Sequence, residues 1–315
     1  MNATCKKFES KVLLFGEYSI ILDSRGLALP FPLFDGSLSF RKNGQYPYRN
    51  QDSNDELKTF AQYLQEIASN KKLDFELDLT SFEFDLEQGL FFESSIPQGY
   101  GVGSSGALCA ALYDRYVCPS DQFKEDMSNS KILELKDHFS LLESHFHGAS
   151  SGVDPLISYL GEPVLLESQS KLGPVLIPNY KQGKGAIFLL NTGRPRRTEP
   201  LVNLFLEKCR NEEFKMICEN ELRCITDQCI ESFLEGNITN LVSKFKLLSH
   251  FQYKHLSPMI PKLFNRLWNE GLESDKFYLK LCGAGGGGFL LGITEDFENQ
   301  KSYFQKSQIR TLFRF

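Results

Sequence analysis

Apolar residues alternate with polar ones near the start of the chain and later change to a helical spacing, so the sequence predicts mixed α and β structure. VLLFGEYSIIL, LALPFPLF and SLSFR predict short strands separated by Gly, Pro and Asp. Residues 56–70, ELKTFAQYLQEIASN, have the spacing of an amphipathic helix, whereas residues 75–86, FELDLTSFEFDL, alternate as a pair of strands would. The sequence contains no repeat of roughly 20 to 50 residues, which excludes solenoid and propeller architectures.

The rest of the chain continues this mixture. Apolar residues recur at helical spacing after residue 106 until Pro119, and KILELKDHFSLLESHF predicts a second helix that ends at Gly148. GAIFLLN predicts a strand, residues 199–271 have helical patterns, FYLKLCGAGGGGFLLGI predicts two strands joined through glycines, and IRTLFRF predicts one more strand. SKLGPVLIPNYKQGKG is rich in Gly, Pro and Lys and predicts a domain boundary near residue 180.

Composition and charge narrow the classes of function. A chain of 315 residues suits two domains, and a net charge of -5 with basic residues scattered among acidic ones offers no stripe for a nucleic acid backbone. No run approaches the roughly 18 apolar residues of a membrane span, and the N-terminus lacks a signal-peptide cleavage site, so we expect a cytoplasmic protein. Eight cysteines without CxxC or His spacing predict buried, reduced thiols rather than a zinc site.

Residues 96–112, IPQGYGVGSSGALCAAL, place four glycines and two serines directly before a predicted helix. A helix N-terminus presents unpaired N–H groups and a partial positive charge, and glycines let the preceding backbone approach a bound phosphate. The stretch matches the dinucleotide pattern GxGxxG only weakly, because it lies a hundred residues into the chain. It lacks the GK[ST] of a Walker loop and the GxSxG of a nucleophile elbow, and a glycine-rich turn without a ligand stays an alternative.

A second glycine-rich stretch supports a phosphate ligand. Residues 283–288, GAGGGG, lie between two predicted strands, where glycine weakens a sheet unless another backbone or a ligand approaches closely. Two such loops in one acidic chain favour a shared polyanionic ligand.

Three stretches, in this order, resemble the motifs of the GHMP kinases, a superfamily of small-molecule kinases: KVLLFGEYSII (11–21), IPQGYGVGSSGA (96–107) and LKLCGAGGGGF (279–289). Within it, ESHFHGASSGVDPLIS (143–158) and NTGRPRRTEPLV (191–202) are similar to stretches of the mevalonate kinase family. The resemblance implies an α+β fold of two domains. Residues 1–180 would form an ATP-binding domain like the second domain of ribosomal protein S5, and residues 181–315 a ferredoxin-like domain.

The resemblance also implies roles for individual residues. Asp154 would be the catalytic aspartate and Lys11 the lysine beside it, whose cation favours the carboxylate and helps the acceptor hydroxyl to ionise. Ser105 and Glu143 would hold Mg²⁺. The residues expected to bind ATP are Pro97, Gly99, Gly101, Gly103, Ser104, Ser105 and Gly106. Those expected near the acceptor are Glu17, Tyr18, Arg196, Thr198, Gly285 and Gly286.

Local sequence alone allows other interpretations of these residues. Asp154 fits a turn aspartate before a proline, Lys11 a solvated strand end, and the arginines of 194–197 a basic surface loop. His145 and His147 lack further ligands at suitable spacing, so helix-end capping or contact with the glycine loop is expected of them rather than metal binding.

Three residues depart from the family pattern: Tyr18 replaces a histidine, Gly106 an alanine, and Cys282 the commoner threonine or serine. The resemblance nevertheless implies an ATP- and Mg²⁺-dependent kinase that converts mevalonate to 5-phosphomevalonate, an isoprenoid precursor. The alternatives are a phosphomevalonate kinase or another GHMP sugar or metabolite kinase. From other classes, a non-catalytic nucleotide-binding sensor and an NAD-dependent dehydrogenase stay open. The expected partner is a small molecule rather than a nucleic acid or a membrane, and a homodimer is a further open expectation.

Overall fold

A computed structural model describes residues 6–40, 48–70, 72–117, 128–168, 170–195, 199–304 and 308–315. It contains two antiparallel sheets and a larger share of helix, so the α+β prediction is confirmed. No helix of the described residues is long and apolar enough to cross a lipid bilayer.

The strands of the described residues are β1 Phe8–Phe15, β2 Gly26–Phe40, β3 Leu90–Ser94, β4 Val164–Ser168, β5 Lys171–Pro174, β6 Ala186–Asn191, β7 Tyr278–Leu281, β8 Phe289–Thr294 and β9 Ile309–Arg314. The α-helices are α1 Tyr48–Ser69, α2 Leu79–Glu87, α3 Ser104–Tyr116, α4 Asn129–His147, α5 Val153–Leu160, α6 Glu199–Lys208, α7 Glu212–Ile217, α8 Arg223–Leu234, α9 Ile238–His255, α10 Asn265–Ser274 and α11 Phe297–Gln300. Short 3₁₀ turns and the π-helical turn Cys218–Leu222 lie among them.

The described residues divide into two compact units that are discontinuous in sequence. The first unit takes those within Met1–Lys11, Leu29–Pro97 and Val102–Glu162. The second takes those within Val12–Ala28, Gln98–Gly101 and Pro163–Phe315. The domain boundary at residue 180 stays a prediction, since compactness in space and domain limits along the chain are different properties.

The first sheet has the order β1-β2-β4-β5, and β3 pairs with the far end of the long strand β2. Gly26–Ala28 of β2 pair antiparallel with β4, and residues 36–40 of the same strand pair antiparallel with β3. LALPFPLF and the described residues of SLSFR, which the sequence pattern predicts as separate strands, therefore belong to one continuous strand that ends at Phe40. The predicted strand at VLLFGEYSIIL is shorter than expected, because β1 ends at Phe15 and a 3₁₀ turn follows at Ser19–Leu22.

The second sheet has the order β7-β8-β6-β9, and each neighbouring pair is antiparallel. Along the chain these strands follow the sequence β-α-β-β-α-β, because helices lie between β6 and β7 and between β8 and β9. That succession and the order 2-3-1-4 describe a ferredoxin-like sheet. Its strands β6, β7 and β8 are almost entirely buried, which explains their nearly continuous apolar sequences.

The predicted strand pair at residues 75–86 is wrong, since residues 79–87 form helix α2. The side chain of Asp78 accepts a hydrogen bond of 3.0 Å from the N–H of Ser81 and caps the helix. Phe82 and Leu86, one turn apart, are buried, whereas Phe84 is 60% exposed. Capping and burial along one helical face outweigh the local alternation of polar and apolar residues.

Three helices confirm the periodic patterns. Helix α1 covers residues 56–69 of the predicted helix, α3 begins directly after Gly103, and α4 ends at Gly148, whose φ of 75° terminates the helix as expected. Cys109, Cys218 and Cys229 are buried free thiols, as predicted, but Cys224 is exposed.

Candidate active site

The second motif folds as a glycine loop that leads into the N-terminus of α3. Gly99, Gly101 and Gly103 have φ angles of 76°, 73° and 83°, which other residues rarely adopt. Gly103 is the residue before the helix, and Ser104, Ser105 and Gly106 form its first turn. The N–H groups of this first turn have no partners within the helix, so the end of α3 offers donors and positive potential to an anion.

Lys11 and Asp154 meet within the first unit. Lys11 lies on β1, where its N–H donates to the carbonyl of Val102 over 2.9 Å. Asp154 lies in the first turn of α5. The Lys11 Nζ is 2.9 Å from the Asp154 Oδ1, with the lysine side chain 9% exposed and the aspartate side chain 36% exposed. The lysine is therefore buried beneath a carboxylate that solvent, or a substrate, can reach.

Glycine is required where the loop passes the lysine. A Cβ on Gly103 would lie 2.9 Å from the Cγ of Lys11, in addition to the strain of a positive φ. The close approach seats the lysine stem directly against the residue that precedes α3. Gly103 and the Lys11–Asp154 pair are thus adjacent.

Glu143, on α4, is buried with both carboxylate oxygens bound by hydroxyl groups. The Ser105 hydroxyl donates to Oε1 over 3.0 Å, and the Ser150 hydroxyl donates to Oε2 over 2.5 Å. Burial, and secondly the negative charge of Asp154, raise the pKa of Glu143 to about 7, although the two hydroxyl groups and Lys11 oppose that shift. An additional cation at this position would offset both the desolvation cost of the buried Glu143 carboxylate and its repulsion by the Asp154 carboxylate.

The donor set therefore fits Mg²⁺. Magnesium prefers oxygen ligands and binds through one or two protein groups together with substrate phosphates. Ser105 and Glu143 supply a hydroxyl and a carboxylate that are already in contact, at the N-terminus of α3. We describe Lys11, Ser105, Glu143, Ser150 and Asp154 as the Lys11–Asp154 cluster.

Gly106 lies where α3 packs closely against the backbone of α5. A Cβ at this position would lie 2.9 Å from both the carbonyl carbon of Asp154 and the nitrogen of Pro155. The alanine expected from the family pattern would press against this backbone, so the departure to glycine follows from the contact with the residue proposed as catalytic.

The first and third motifs meet within the second unit. Glu17 follows β1, and its Oε1 lies 2.6 Å from the Nζ of Lys280 on β7. Tyr18 has φ 64° and ψ -40°, a sparsely populated conformation for a residue with a side chain. Its hydroxyl donates to the carbonyl of Ala284 over 2.5 Å, and its ring packs on Phe205 at 4.7 Å. Both acceptor-side predictions, Glu17 and Tyr18, are buried in this structure.

The third motif forms the glycine-rich loop between β7 and β8. Gly285 lies against Met259, whose carbonyl oxygen accepts a hydrogen bond of 2.6 Å from the N–H of Gly286. Tyr100, from the second motif, packs its ring on Phe289 at 5.4 Å. A Cβ on Gly288 would lie 2.5 Å from the Tyr100 carbonyl oxygen. Residues of the two glycine motifs are therefore packed together within this unit.

Arg196 and Thr198 lie outside the described residues, as does the side chain of His147. The nearby Arg194 carbonyl accepts a hydrogen bond of 2.7 Å from the N–H of Gly288, which ties residues 192–194 to the third motif. The ring of His145 stacks on Phe60 of α1 at 5.0 Å, and burial lowers its pKa.

Sequence reasoning missed two residues that the structure brings into these groups. Lys280 pairs with Glu17 across 263 positions, and an isolated lysine in an apolar strand was the signal available for it. Ser150 binds Glu143 from the following loop, but one of the two serines in HGASSG carries no distinguishing local pattern.

Comparison with known proteins shows a family-model match in part of the chain and a shared fold over most of it. Residues 57–162 match the model of the GHMP kinases N terminal domain. No curated protein matches the chain. The L. major mevalonate kinase solved in complex with R-mevalonate superposes with a TM-score of 0.61 at 17% identity, covering 96% of this chain and 90% of that one.

Two further solved structures have comparable folds. Streptococcus pneumoniae phosphomevalonate kinase, in complex with phosphomevalonate and AMPPNP, superposes with a TM-score of 0.63 at 12% identity over 98% of this chain and 99% of that one. Lactococcus lactis galactokinase complexed with galactose gives a TM-score of 0.60 at 15% identity over 99% and 93%. Residues 57–162 therefore match the GHMP kinase N-terminal domain, and the chain has the fold of these kinases and is similar in structure to a mevalonate kinase.

Proposed function

We propose that this protein is an ATP- and Mg²⁺-dependent kinase that phosphorylates the primary hydroxyl of mevalonate to give 5-phosphomevalonate. The observation that carries the proposal is the Lys11–Asp154 cluster. A buried lysine holds an accessible carboxylate at 2.9 Å, beside a hydroxyl and carboxylate pair at the N-terminus of α3. Nucleotide binding alone requires the glycine loop but not this carboxylate.

In the proposed reaction, each residue of the cluster has a task that its position permits. Asp154 accepts the proton of the acceptor hydroxyl while that oxygen forms a bond to the γ-phosphorus and the bond from phosphorus to the β-γ bridging oxygen breaks. ADP leaves with the electron pair of that bond. Lys11 orients Asp154 through its ion pair and supplies positive charge where the acceptor oxygen becomes negative. The N–H groups at the start of α3 bind phosphate oxygens.

Ser105 and Glu143 would hold the metal. Mg²⁺ bound there would supply positive charge that offsets the negative charge of the phosphate oxygens. The hydroxyl of Ser150 keeps Glu143 oriented toward Ser105 by occupying its other oxygen. Pro97, Gly99 and Gly101 would shape the loop around the triphosphate, and Arg196 and Thr198 would contact the acceptor carboxylate.

The choice of acceptor rests on similarity. The stretches 143–158 and 191–202 resemble those of mevalonate kinases, and the neighbours include a mevalonate kinase solved with R-mevalonate. Phosphomevalonate and sugars are the rivals, since neighbours with those ligands have the same fold. A coupled ADP-release assay over mevalonate, phosphomevalonate, galactose and homoserine distinguishes them. Turnover of another acceptor with mevalonate inert would contradict the assignment of mevalonate.

Replacing the proposed base tests the kinase itself. We expect Asp154→Asn to lower kcat by about 100- to 10,000-fold while MgAMPPNP still binds, because the amide cannot accept the proton. The matched control is Asp137→Asn, since Asp137 is paired with a lysine but is 68% exposed on α4. It should leave both quantities unchanged.

Three other outcomes would overturn the proposal. A sensor would keep its nucleotide response in the Asp154→Asn protein and show no turnover in the wild type. A dehydrogenase would bind NAD rather than ATP when the two compete for a displaced dye. Equal turnover in the wild type and the Asp154→Asn variant would remove Asp154 from the chemistry.

A further inference from the structure

Glu17 and Lys280 form an ion pair in the interior of the second unit. The Lys280 Nζ lies 2.6 Å from the Glu17 Oε1, and the two side chains are 0% and 1% exposed. The same ammonium group donates to the carbonyl of Leu281 over 2.7 Å and lies 5.8 Å from the centre of the Phe15 ring. Neither charge is accessible to solvent, so the pair has no role in surface electrostatics.

The pair connects two segments that are 263 residues apart in sequence. Glu17 follows the end of β1, and Lys280 lies on β7, three residues before the loop 283–288 begins. The carboxylate also faces the first residue of that loop, because the N–H of Gly283 approaches Glu17 Oε1 at 3.4 Å. One residue further along each segment, the Tyr18 hydroxyl binds the carbonyl of Ala284. Consecutive residues of the first motif therefore hold consecutive residues of the third.

Stability alone does not account for a pair in this position. Buried ion pairs are often replaceable by apolar residues of similar volume without loss of stability, because desolvation offsets the attraction between the charges. Glu17 Oε2 is buried and has no hydrogen-bond partner in the described part of the chain. What the pair provides instead is a defined position for a loop of almost bare backbone, which has few side chains of its own to hold it.

We propose that Glu17 and Lys280 are positioning residues that hold the glycine loop 283–288 in the conformation required for MgATP binding and phosphoryl transfer, and that Glu17 does not contact the acceptor. The inference rests on the proposed kinase function. It assigns a role to Lys280, and it moves Glu17, together with Gly285 and Gly286 of the loop, from the acceptor side of the reaction to the nucleotide side, beside Tyr100 of the second motif.

The two roles make opposite kinetic predictions. A residue that binds the acceptor affects the KM for the acceptor and leaves nucleotide affinity intact. A residue that positions a phosphate loop affects nucleotide affinity and kcat, and leaves the acceptor KM unchanged. The measurements are therefore the Kd of MgAMPPNP, from displacement of a fluorescent ATP analogue, and the kcat and KM for mevalonate.

The test variant is the double replacement Glu17→Gln and Lys280→Met in the full-length protein, which leaves no unpaired buried charge. We expect this variant to unfold in a cooperative thermal transition. Its affinity for MgAMPPNP and its kcat should each be about 10- to 100-fold lower than those of the wild type, and its KM for mevalonate should be unchanged. The matched control replaces an exposed pair of the same unit, Lys246→Met with Asp275→Asn, whose side chains are 37% and 58% exposed. The control should behave as the wild type does.

A second variant covers the case in which the double replacement does not fold. Glu17→Asp keeps the charge but withdraws the carboxylate from Lys280 by one methylene, and we expect the same weaker MgAMPPNP binding at unchanged mevalonate KM. A raised mevalonate KM with normal MgAMPPNP affinity would overturn the inference and restore Glu17 to the acceptor site. Wild-type values of the MgAMPPNP Kd and of kcat in both variants would also overturn it, because the pair would then contribute only to packing. Failure of the proposed function looks different, because the wild-type protein itself would then release no ADP in the presence of mevalonate.

Discussion

Glu143 shows how strongly the surroundings of one side chain can change its chemistry. It is 3% exposed, lies near Asp154, and has a pKa raised to about 7. The folded protein therefore binds a proton on this group more tightly than the unfolded chain does. The protonated group's stabilising contribution is fully present below the ordinary value of 4.5 and is lost as pH rises through about 7.

This shift predicts a pH dependence of metal binding. Because the metal requires the carboxylate, we expect the apparent affinity for Mg²⁺, measured in the presence of AMPPNP, to fall by about tenfold for each pH unit below about 7. Glu143→Gln should weaken Mg²⁺ binding and remove this dependence. Without metal, the wild-type melting temperature should decrease between pH 4.5 and about 7 relative to that of the Gln variant. The control is Glu134→Gln, on the exposed face of α4.

A pH-independent Mg²⁺ affinity in the wild-type protein would contradict this assignment of the metal ligand. Local sequence could not have predicted the shift. ESHF contains an ordinary glutamate, and the cause is burial between α3 and the loop that carries Ser150.

At the scale of elements, the contact between α3 and α5 brings the first turn of α3 near Asp154. Gly106 makes this contact possible, since a Cβ would lie 2.9 Å from the backbone of residues 154 and 155. Backbone atoms cannot rotate aside as side chains do, so a larger residue has to separate the helices. The two helices carry Ser105 and Asp154, and their spacing therefore controls the geometry of the cluster.

We expect Gly106→Ala to destabilise the protein by about 1–3 kcal/mol and to lower kcat, because it displaces Asp154 from Lys11. Urea unfolding and steady-state kinetics measure the two effects. The control is Gly161→Ala at the other end of α5, where no atom lies within 4 Å but φ is 67°. That change should cost about 1 kcal/mol of stability through backbone strain and leave kcat unchanged. A fully active Gly106→Ala enzyme would show that the helix spacing is not critical.

At the scale of the whole molecule, the compact units do not coincide with contiguous halves of the chain. Residues 12–28 belong with the C-terminal unit, and they contribute Phe15 and Glu17 to its interior. Phe15 packs edge-on against Phe233 and Phe245, with centroids 6.3 and 6.2 Å away. A fragment that begins at the predicted boundary would lack these groups and would leave Lys280 buried without its carboxylate.

We therefore expect residues 181–315, expressed alone, not to unfold cooperatively. An unpaired buried charge costs about 3–5 kcal/mol, against a total stability of about 5–15 kcal/mol for a typical domain. Circular dichroism melting and the dispersion of amide resonances measure this. The same fragment with Lys280→Met should be better folded, because the replacement removes the unpaired buried charge. A cooperative transition in the parent fragment would show that residues 12–28 are dispensable for this unit.

Much of the fold was predictable because its signals are local. Helical periodicity located α1, α3 and α4, and glycine after His147 marked the end of α4. The failures occurred where local patterns compete. Residues 75–86 alternate like strands, yet Asp78 caps a helix there, and β1 ends at a glycine that the apolar pattern runs through. Lys11, Ser105, Glu143 and Asp154 were found only through the resemblance of the motifs, since each has an unremarkable local explanation.

The sequence by itself determined helices α1, α3 and α4, the apolar strands of the second sheet and the two glycine motifs, because periodicity, capping and bare backbone act over a few neighbouring residues. Only the tertiary structure decided that Lys11 lies under Asp154, that Ser150 holds Glu143, and that Glu17 is paired with Lys280 rather than exposed. Ion pairs, burial and the pKa shift of Glu143 depend on groups that the fold brings together from distant positions, and the local pattern of residues along the sequence does not encode that proximity.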